Sequence, residues 1–132
     1  MNAWLSLLNE SCKQPFEQKE LISVYAKLHV AFVRIHPFYD GNGRLARLLA
    51  NFPVLISGMP PIMIAKEKRR AYIHALSRYE LAVGPPESDS ELIPEHETLG
   101  EFSELCNDCW QQSLELVDEA RKIMRTRVKS IS

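Results

Sequence analysis

His36 is followed by Pro37-Phe38-Tyr39, then by Asp40-Gly41-Asn42-Gly43-Arg44, with Arg47 three residues further on. Each residue type here has a use on a phosphate. An imidazole titrates near neutrality and can take a proton from a hydroxyl, the role we expect of His36. One carboxylate, completed by phosphate oxygens and water, is how Mg²⁺ is typically held, which suits Asp40. Glycines at 41 and 43 let the backbone approach a ligand closely and adopt positive φ. A helix beginning at Asn42 or Gly43 turns its first N–H groups and its dipole toward the loop, which makes an anion site. Arg44 and Arg47, three apart, then share one edge of that helix. Cations oppose the dipole at a helix start, and a bound polyanion removes the conflict. The set reads as a nucleotide-phosphate site with a metal and a base.

The parts converge only if one helix ends at His36 and another begins just after the loop. The first condition is met by Leu21, Tyr25, Leu28, Phe32 and Ile35, which recur at helical spacing behind Pro15, with Pro37 forcing an end at His36. The second is met from Arg44 onward, with Leu45, Leu48, Leu49, Phe52 and Leu55 assigned to one face and Pro53 expected to kink or break the ladder. Trp4, Leu5, Leu7, Leu8 and Cys12 predict a short first helix. Gly58 reads as a helix-ending glycine before Pro60-Pro61, and Ile62-Met63-Ile64 as a short extended stretch. Glu67 to about Val83 predicts a helix through Tyr72, Ile73, Leu76 and Leu81, and 85–98 a long loop. A last helix from about Leu99 to Val128 turns Phe102, Leu105, Cys109, Leu116, Ala120, Ile123 and Met124 inward. There is no hairpin signal and no internal repeat, so the fold class is all-α.

The chain has 132 residues, room for one domain over 1–132, and 45% hydrophobic with 25% charged residues is ordinary globular composition. No apolar run is long enough to span a membrane. Residues 1–10 lack a leader pattern and the three cysteines need no oxidising compartment, so we expect a cytoplasmic, bacterial address. A net charge of −1 removes nucleic acid from the expected partners. The charge is uneven. Residues 80–119 hold twelve acids and no Lys or Arg, and Arg121, Lys122, Arg125, Arg127 and Lys129 follow, an order that suits one long helix. Its apolar stripe is wide enough to pack on a second copy of the chain. Cys106 and Cys109 have the CxxC spacing, but His96 is the nearest further ligand and no second pair exists, so both are assigned to packing.

The stretch from His36 to Arg47 resembles the signature of the Fic family, HPFx(D/E)GNGRxxR. Every fixed position is filled: His36, Pro37, Phe38, Asp40, Gly41, Asn42, Gly43, Arg44 and Arg47. Leu28-His29, Gly58-Met59-Pro60-Pro61 and Tyr72-Ile73-His74-Ala75-Leu76 are similar to the flanks of that family, and the likeness covers about residues 1–83. The Gly-Asn-Gly run sides with Fic proper and not with the Doc branch. The resemblance implies a Fic-fold helical bundle with the phosphate-binding loop between two central helices. It implies a protein adenylyltransferase that moves AMP from ATP to a Ser, Thr or Tyr hydroxyl of a target protein. His36 would be the base, Asp40 the Mg²⁺ ligand, and Gly41, Asn42 and Gly43 the anion hole. Arg44 and Arg47 would clamp the outer phosphates, and Phe38 would anchor the loop as a buried structural residue. Two alternatives stand beside it. One is removal of AMP or transfer of another nucleotide. The other is a non-catalytic nucleotide-binding or toxin–antitoxin module.

The likeness has departures. The family's upstream helix and flap hairpin, which aligns a target as an added strand, have no counterpart in residues 1–35. Ser6-Leu7-Leu8-Asn9-Glu10-Ser11 comes close to the family's inhibitory (S/T)xxxE(G/N) pattern but ends in Ser, and we assign it to a core helix. An inhibitory helix or antitoxin partner would then lie elsewhere. Pro53 is unusual at its place.

Overall fold

The computed structural model describes residues 2–36, 40–85 and 92–131. Six helices occur among them: α1 (Asn2–Cys12), α2 (Gln18–Ile35), α3 (Asn42–Ala50), α4 (Phe52–Ile56), α5 (Arg69–Val83) and α6 (Glu97–Ile131). A single 3₁₀ turn, Lys66–Lys68, leads into α5, and no strand is present among the described residues. The all-α expectation is met.

α2 is the centre. Five consecutive residues, Leu28, His29, Val30, Ala31 and Phe32, are buried, so this stretch of the helix is covered on every side and not along one stripe. α1, α3, α4 and α6 all pack on it. Two indoles fasten the layers. Trp4 of α1 donates from Nε1 to the Leu28 carbonyl at 2.9 Å and meets Phe32 edge-on, with ring centroids 4.9 Å apart. Trp110 of α6 donates to the Pro60 carbonyl at 2.9 Å. Arg34, buried near the end of α2, holds the far side of the molecule together. It pairs with Glu80 at 2.8 Å and donates to the carbonyls of Gly84 and Leu92 at 3.1 and 3.0 Å. A buried guanidinium is tolerable when its donors are met in this way.

Pro53 splits the helix after the loop in two. It sits in the first turn of α4, where its missing N–H costs nothing, and Asn51 makes the joint. The expected apolar face of this stretch needs correcting. Leu48, Phe52 and Leu55 are 59%, 40% and 50% exposed, and the inward residues are Ala46, Ala50 and Val54. Small side chains let α3 lie close against α2, which a leucine facing inward would prevent. In α5 the same holds: Ile73 and Leu81 are exposed, and Tyr72, Ala75 and Tyr79 are buried.

α6 runs 35 residues, about 52 Å at 1.5 Å per residue. Leu99, Phe102, Cys106, Cys109 and Trp110 are its buried apolar residues. Leu116, Ile123 and Met124, expected inward, are 67%, 55% and 66% exposed, and Ala120 is exposed too. The apolar period continues, but beyond Trp110 the helix runs past the elements that would cover it. The charge order read from the sequence is realised: Lys122 pairs with Asp118 one turn back at 3.3 Å, and Lys129 lies in the last turn. Cys106 and Cys109 are both buried in the packing, and burial raises the Cys106 thiol. No described helix is long and apolar enough to cross a membrane.

Candidate functional site

The loop between α2 and α3 is bounded by two left-handed residues. His36 closes α2 with φ 51° and ψ 55°, its N–H donating to the Phe32 carbonyl at 3.1 Å. Gly41 caps α3 with φ 81°, a conformation that costs a glycine nothing and any L side chain about 1–2 kcal/mol. The Gly41 N–H bonds the Asp40 carboxylate at 2.8 Å, and the Gly41 carbonyl accepts from Leu45 N–H at 3.1 Å, the first bond of the helix. The N–H groups of Gly43 and Arg44 therefore have no acceptor within the helix and point toward the loop. α3 begins at Asn42, as its turn chemistry requires. Phe38, assigned as the loop anchor, lies outside the described residues, as do Pro37 and Tyr39.

A cavity of about 560 Å³ opens over this helix start. Asp40, Gly41, Gly43, Arg44 and Arg47 all line it. Five of the residues singled out from the sequence thus share one space. Asn42 is buried beside them. His36 lines a neighbouring cavity of about 380 Å³, and Val33 and Leu76 form the wall common to both. A methyl group added at Gly43 would meet Arg47 Nη1 at 3.5 Å and the Tyr72 hydroxyl at 3.8 Å, ordinary contact distances. Sterically the protein could carry a side chain at 43; its absence leaves room on the cavity side.

Three residues missed by the sequence reading complete the cavity: Lys66 from the 3₁₀ turn, and Arg69 and Tyr72 from α5. The run Lys66-Glu67-Lys68-Arg69-Arg70 was the signal for the first two, a basic cluster at a helix start where acids are preferred. Tyr72 positions Arg47. Its hydroxyl accepts from Arg47 Nη1 at 3.0 Å and lies 2.7 Å from His29 Nε2. Its ring also lies under the guanidinium, 5.4 Å from centroid to Cζ. Burial, then the charge of Arg47, lowers the pKa of His29 to about 3, so the imidazole is neutral. His29 Nε2 shares a hydrogen bond with the tyrosine hydroxyl, and among the described residues its Nδ1 is buried with no partner. His29 and Tyr72 thus form a short hydrogen-bonded chain that ends on the cavity arginine.

For Mg²⁺ the donor set is one carboxylate on the wall of a cationic cavity. No group of three His, Cys, Asp or Glu side chains occurs among the described residues, so no all-protein cage is available there. One carboxylate with ligand phosphate oxygens fits Mg²⁺, which usually keeps a water-rich, substrate-shared shell. Glu10, the acid of the inhibitor-like pattern, pairs with Lys13 at 2.7 Å and lines a different cavity near Pro15 and Phe16.

Residues 1–54 match the Fic/DOC family. The protein named "Protein adenylyltransferase Fic" of Drosophila yakuba is 40% identical over 73 residues, which are 55% of this chain and 14% of that protein. The protein of the same name in Drosophila melanogaster matches at the same identity, over the same length and share of each chain. The chain therefore spans 14% of the length of these curated relatives. No solved structure matches it.

Proposed function

We propose, on the premise that the chain belongs through residues 1–54 to the Fic/DOC family, that it moves the adenylyl group of ATP onto a side-chain hydroxyl of a protein. The observation that carries this reading is the single cavity lined by Asp40, Gly41, Gly43, Arg44 and Arg47 at the start of α3. The anion hole expected of Gly41, Asn42 and Gly43 would receive the α-phosphate at this helix start, with the Gly41 N–H turned to Asp40 and the N–H groups of Gly43 and Arg44 supplying fixed dipoles where negative charge grows. Arg44 and Arg47 would hold the outer phosphates, Arg47 from a position set by Tyr72. Asp40 would hold Mg²⁺, which when bound neutralises phosphate charge.

The target hydroxyl would lose its proton to the imidazole of His36, at the other end of the same loop. Its oxygen then bonds to the α-phosphorus as the bond to the bridging oxygen of pyrophosphate breaks. Most of the rate in such a transfer comes from position and charge stabilisation. His36 makes the proton transfer, not the nucleotide contacts. His36→Ala is therefore expected to lower transfer by about 10²–10⁴-fold with ATP affinity unchanged. The measurement is protein labelling from α-³²P-ATP and Mg²⁺ in a cell lysate, with calorimetry alongside. Labelling by His36→Ala at the parent rate would remove the base from this mechanism.

A further inference from the structure

Four cationic side chains line the cavity at the start of α3, and they come from two separate elements. Arg44 and Arg47 belong to α3, and Lys66 and Arg69 to the approach and start of α5. One carboxylate, Asp40, faces them. No ion pair neutralises any of the four: among the described residues the salt bridges involve Lys13, Lys19, Arg34, Arg78 and Lys122 instead. Acids are plentiful in this chain, seventeen against sixteen bases, so the lack of compensation is local to this cavity. Among the described residues the Arg47 guanidinium donates to a neutral hydroxyl, that of Tyr72. α5 adds to the imbalance, because no acid lies in its first turn while Arg69 and Arg70 open it. Uncompensated like charges around one space raise the energy of the ligand-free protein, and a polyanion lowers it.

Arg44 and Arg47 already suffice for one side of a phosphate chain. Lys66 and Arg69 come from the other element, and both also line a further cavity of about 400 Å³, where Arg70 and one carboxylate, Glu67, join them. They lie between the two spaces, where the end of a long anion would reach. We propose that Lys66 and Arg69 form a distal anion subsite that takes the terminal phosphate of a nucleoside triphosphate and so discriminates against diphosphates. The proposal deepens the nucleotide reading above and rests on it.

The test is calorimetry of ATP, ADP and inorganic tripolyphosphate with the whole chain, with Lys66→Gln/Arg69→Gln, and with Arg47→Gln. Lys66 and Arg69 are exposed, so the double variant should keep the parent's far-UV spectrum and melting temperature. Losing charge-assisted bonds to one phosphate should weaken ATP at least about tenfold and leave ADP nearly unchanged. The preference of the parent for ATP over ADP would then collapse in the variant. An ATP-to-ADP ratio equal in parent and double variant overturns the subsite, and if Arg47→Gln still weakens both nucleotides the wider reading survives. Tripolyphosphate binding that depends on Lys66 and Arg69, with neither nucleotide bound, overturns the nucleotide reading and with it the subsite as proposed, leaving a site for inorganic polyanions. No binding of any of the three to the parent overturns both.

Discussion

His29 does not line the cavity, yet hydrogen bonds through Tyr72 join it to Arg47, which does. The ring is fully buried, with Tyr72, Tyr25 and Phe102 around it at centroid distances of 5.4, 5.9 and 5.1 Å. Arg47 is the charged group that burial leaves it facing. The folded pKa, about 3, lies below the ordinary 6.5, so between these values the unfolded chain binds a proton that the folded chain refuses. The His29 contribution to stability is complete above pH 6.5 and is lost as pH falls toward 3. The slope from this one group approaches about 1.4 kcal/mol per pH unit. Urea unfolding between pH 4 and 7 should therefore show a steeper fall for the parent than for His29→Gln. Equal slopes would mean that the buried ring is not held neutral. Of the site, the motif residues were legible from type and spacing. Tyr72 and His29 were not, because nothing in a sequence shows that residues 43 apart will meet; they were noted only as members of apolar or family-like stretches.

Residues 60–65 form a strap with no helix of its own, and it delivers Lys66 to the cavity. One side chain sets its register. Asn51, at the joint of α3 and α4, donates from Nδ2 to the Arg47 and Ile62 carbonyls at 3.0 and 2.9 Å and accepts from Ile62 N–H at 2.7 Å. The amide thus pairs with the strap as a neighbouring strand would, and ties it to the helix that carries both motif arginines. Asn51→Leu orphans the Ile62 N–H and carbonyl in a buried place and should cost about 2–4 kcal/mol in urea unfolding. Asn51→Asp keeps the acceptor and should fall between. A loss below 0.5 kcal/mol, the ordinary scatter of surface changes, would show that the strap is held by its apolar packing instead. At this scale the sequence reading succeeded where the period was long and the breakers clear, as in α2 between Pro15 and Pro37. On α3 and α5 it held in part: Leu45, Leu49, Tyr72 and Leu76 do face the core, whereas Leu48, Phe52, Leu55, Ile73 and Leu81 do not. In α3 small alanines take the closest contact with α2, and in α5 two tyrosines and an alanine take the buried positions, so the exposed leucines and isoleucine that strengthen a hydrophobic pattern misplace its centre.

The whole molecule is a core carried by α2 with one helix running far past it. Among the described residues none after Trp110 is buried, and Leu114 is the last residue of α6 packed against the core. Deleting residues 117–132 should therefore change the free energy of unfolding by less than about 1 kcal/mol, since no buried core residue is lost. A larger loss, or cloudiness at the concentrations used, would show that the distal turns contribute more than their exposure suggests. The long helix was legible from its charge order and period. The extent of its cover was not, because an apolar stripe reads alike whether or not something lies on it. The two indoles give the molecule an optical property of its own. Trp4 and Trp110 are each 1% exposed and each is hydrogen-bonded to a carbonyl, one in the central helix and one in the strap. Native emission should be blue and poorly quenched by iodide. With Trp4 replaced by Phe, the remaining fluorophore sits on Pro60, six residues before Lys66. Its intensity would then follow movement of the strap as a terminal phosphate is bound, with no label attached.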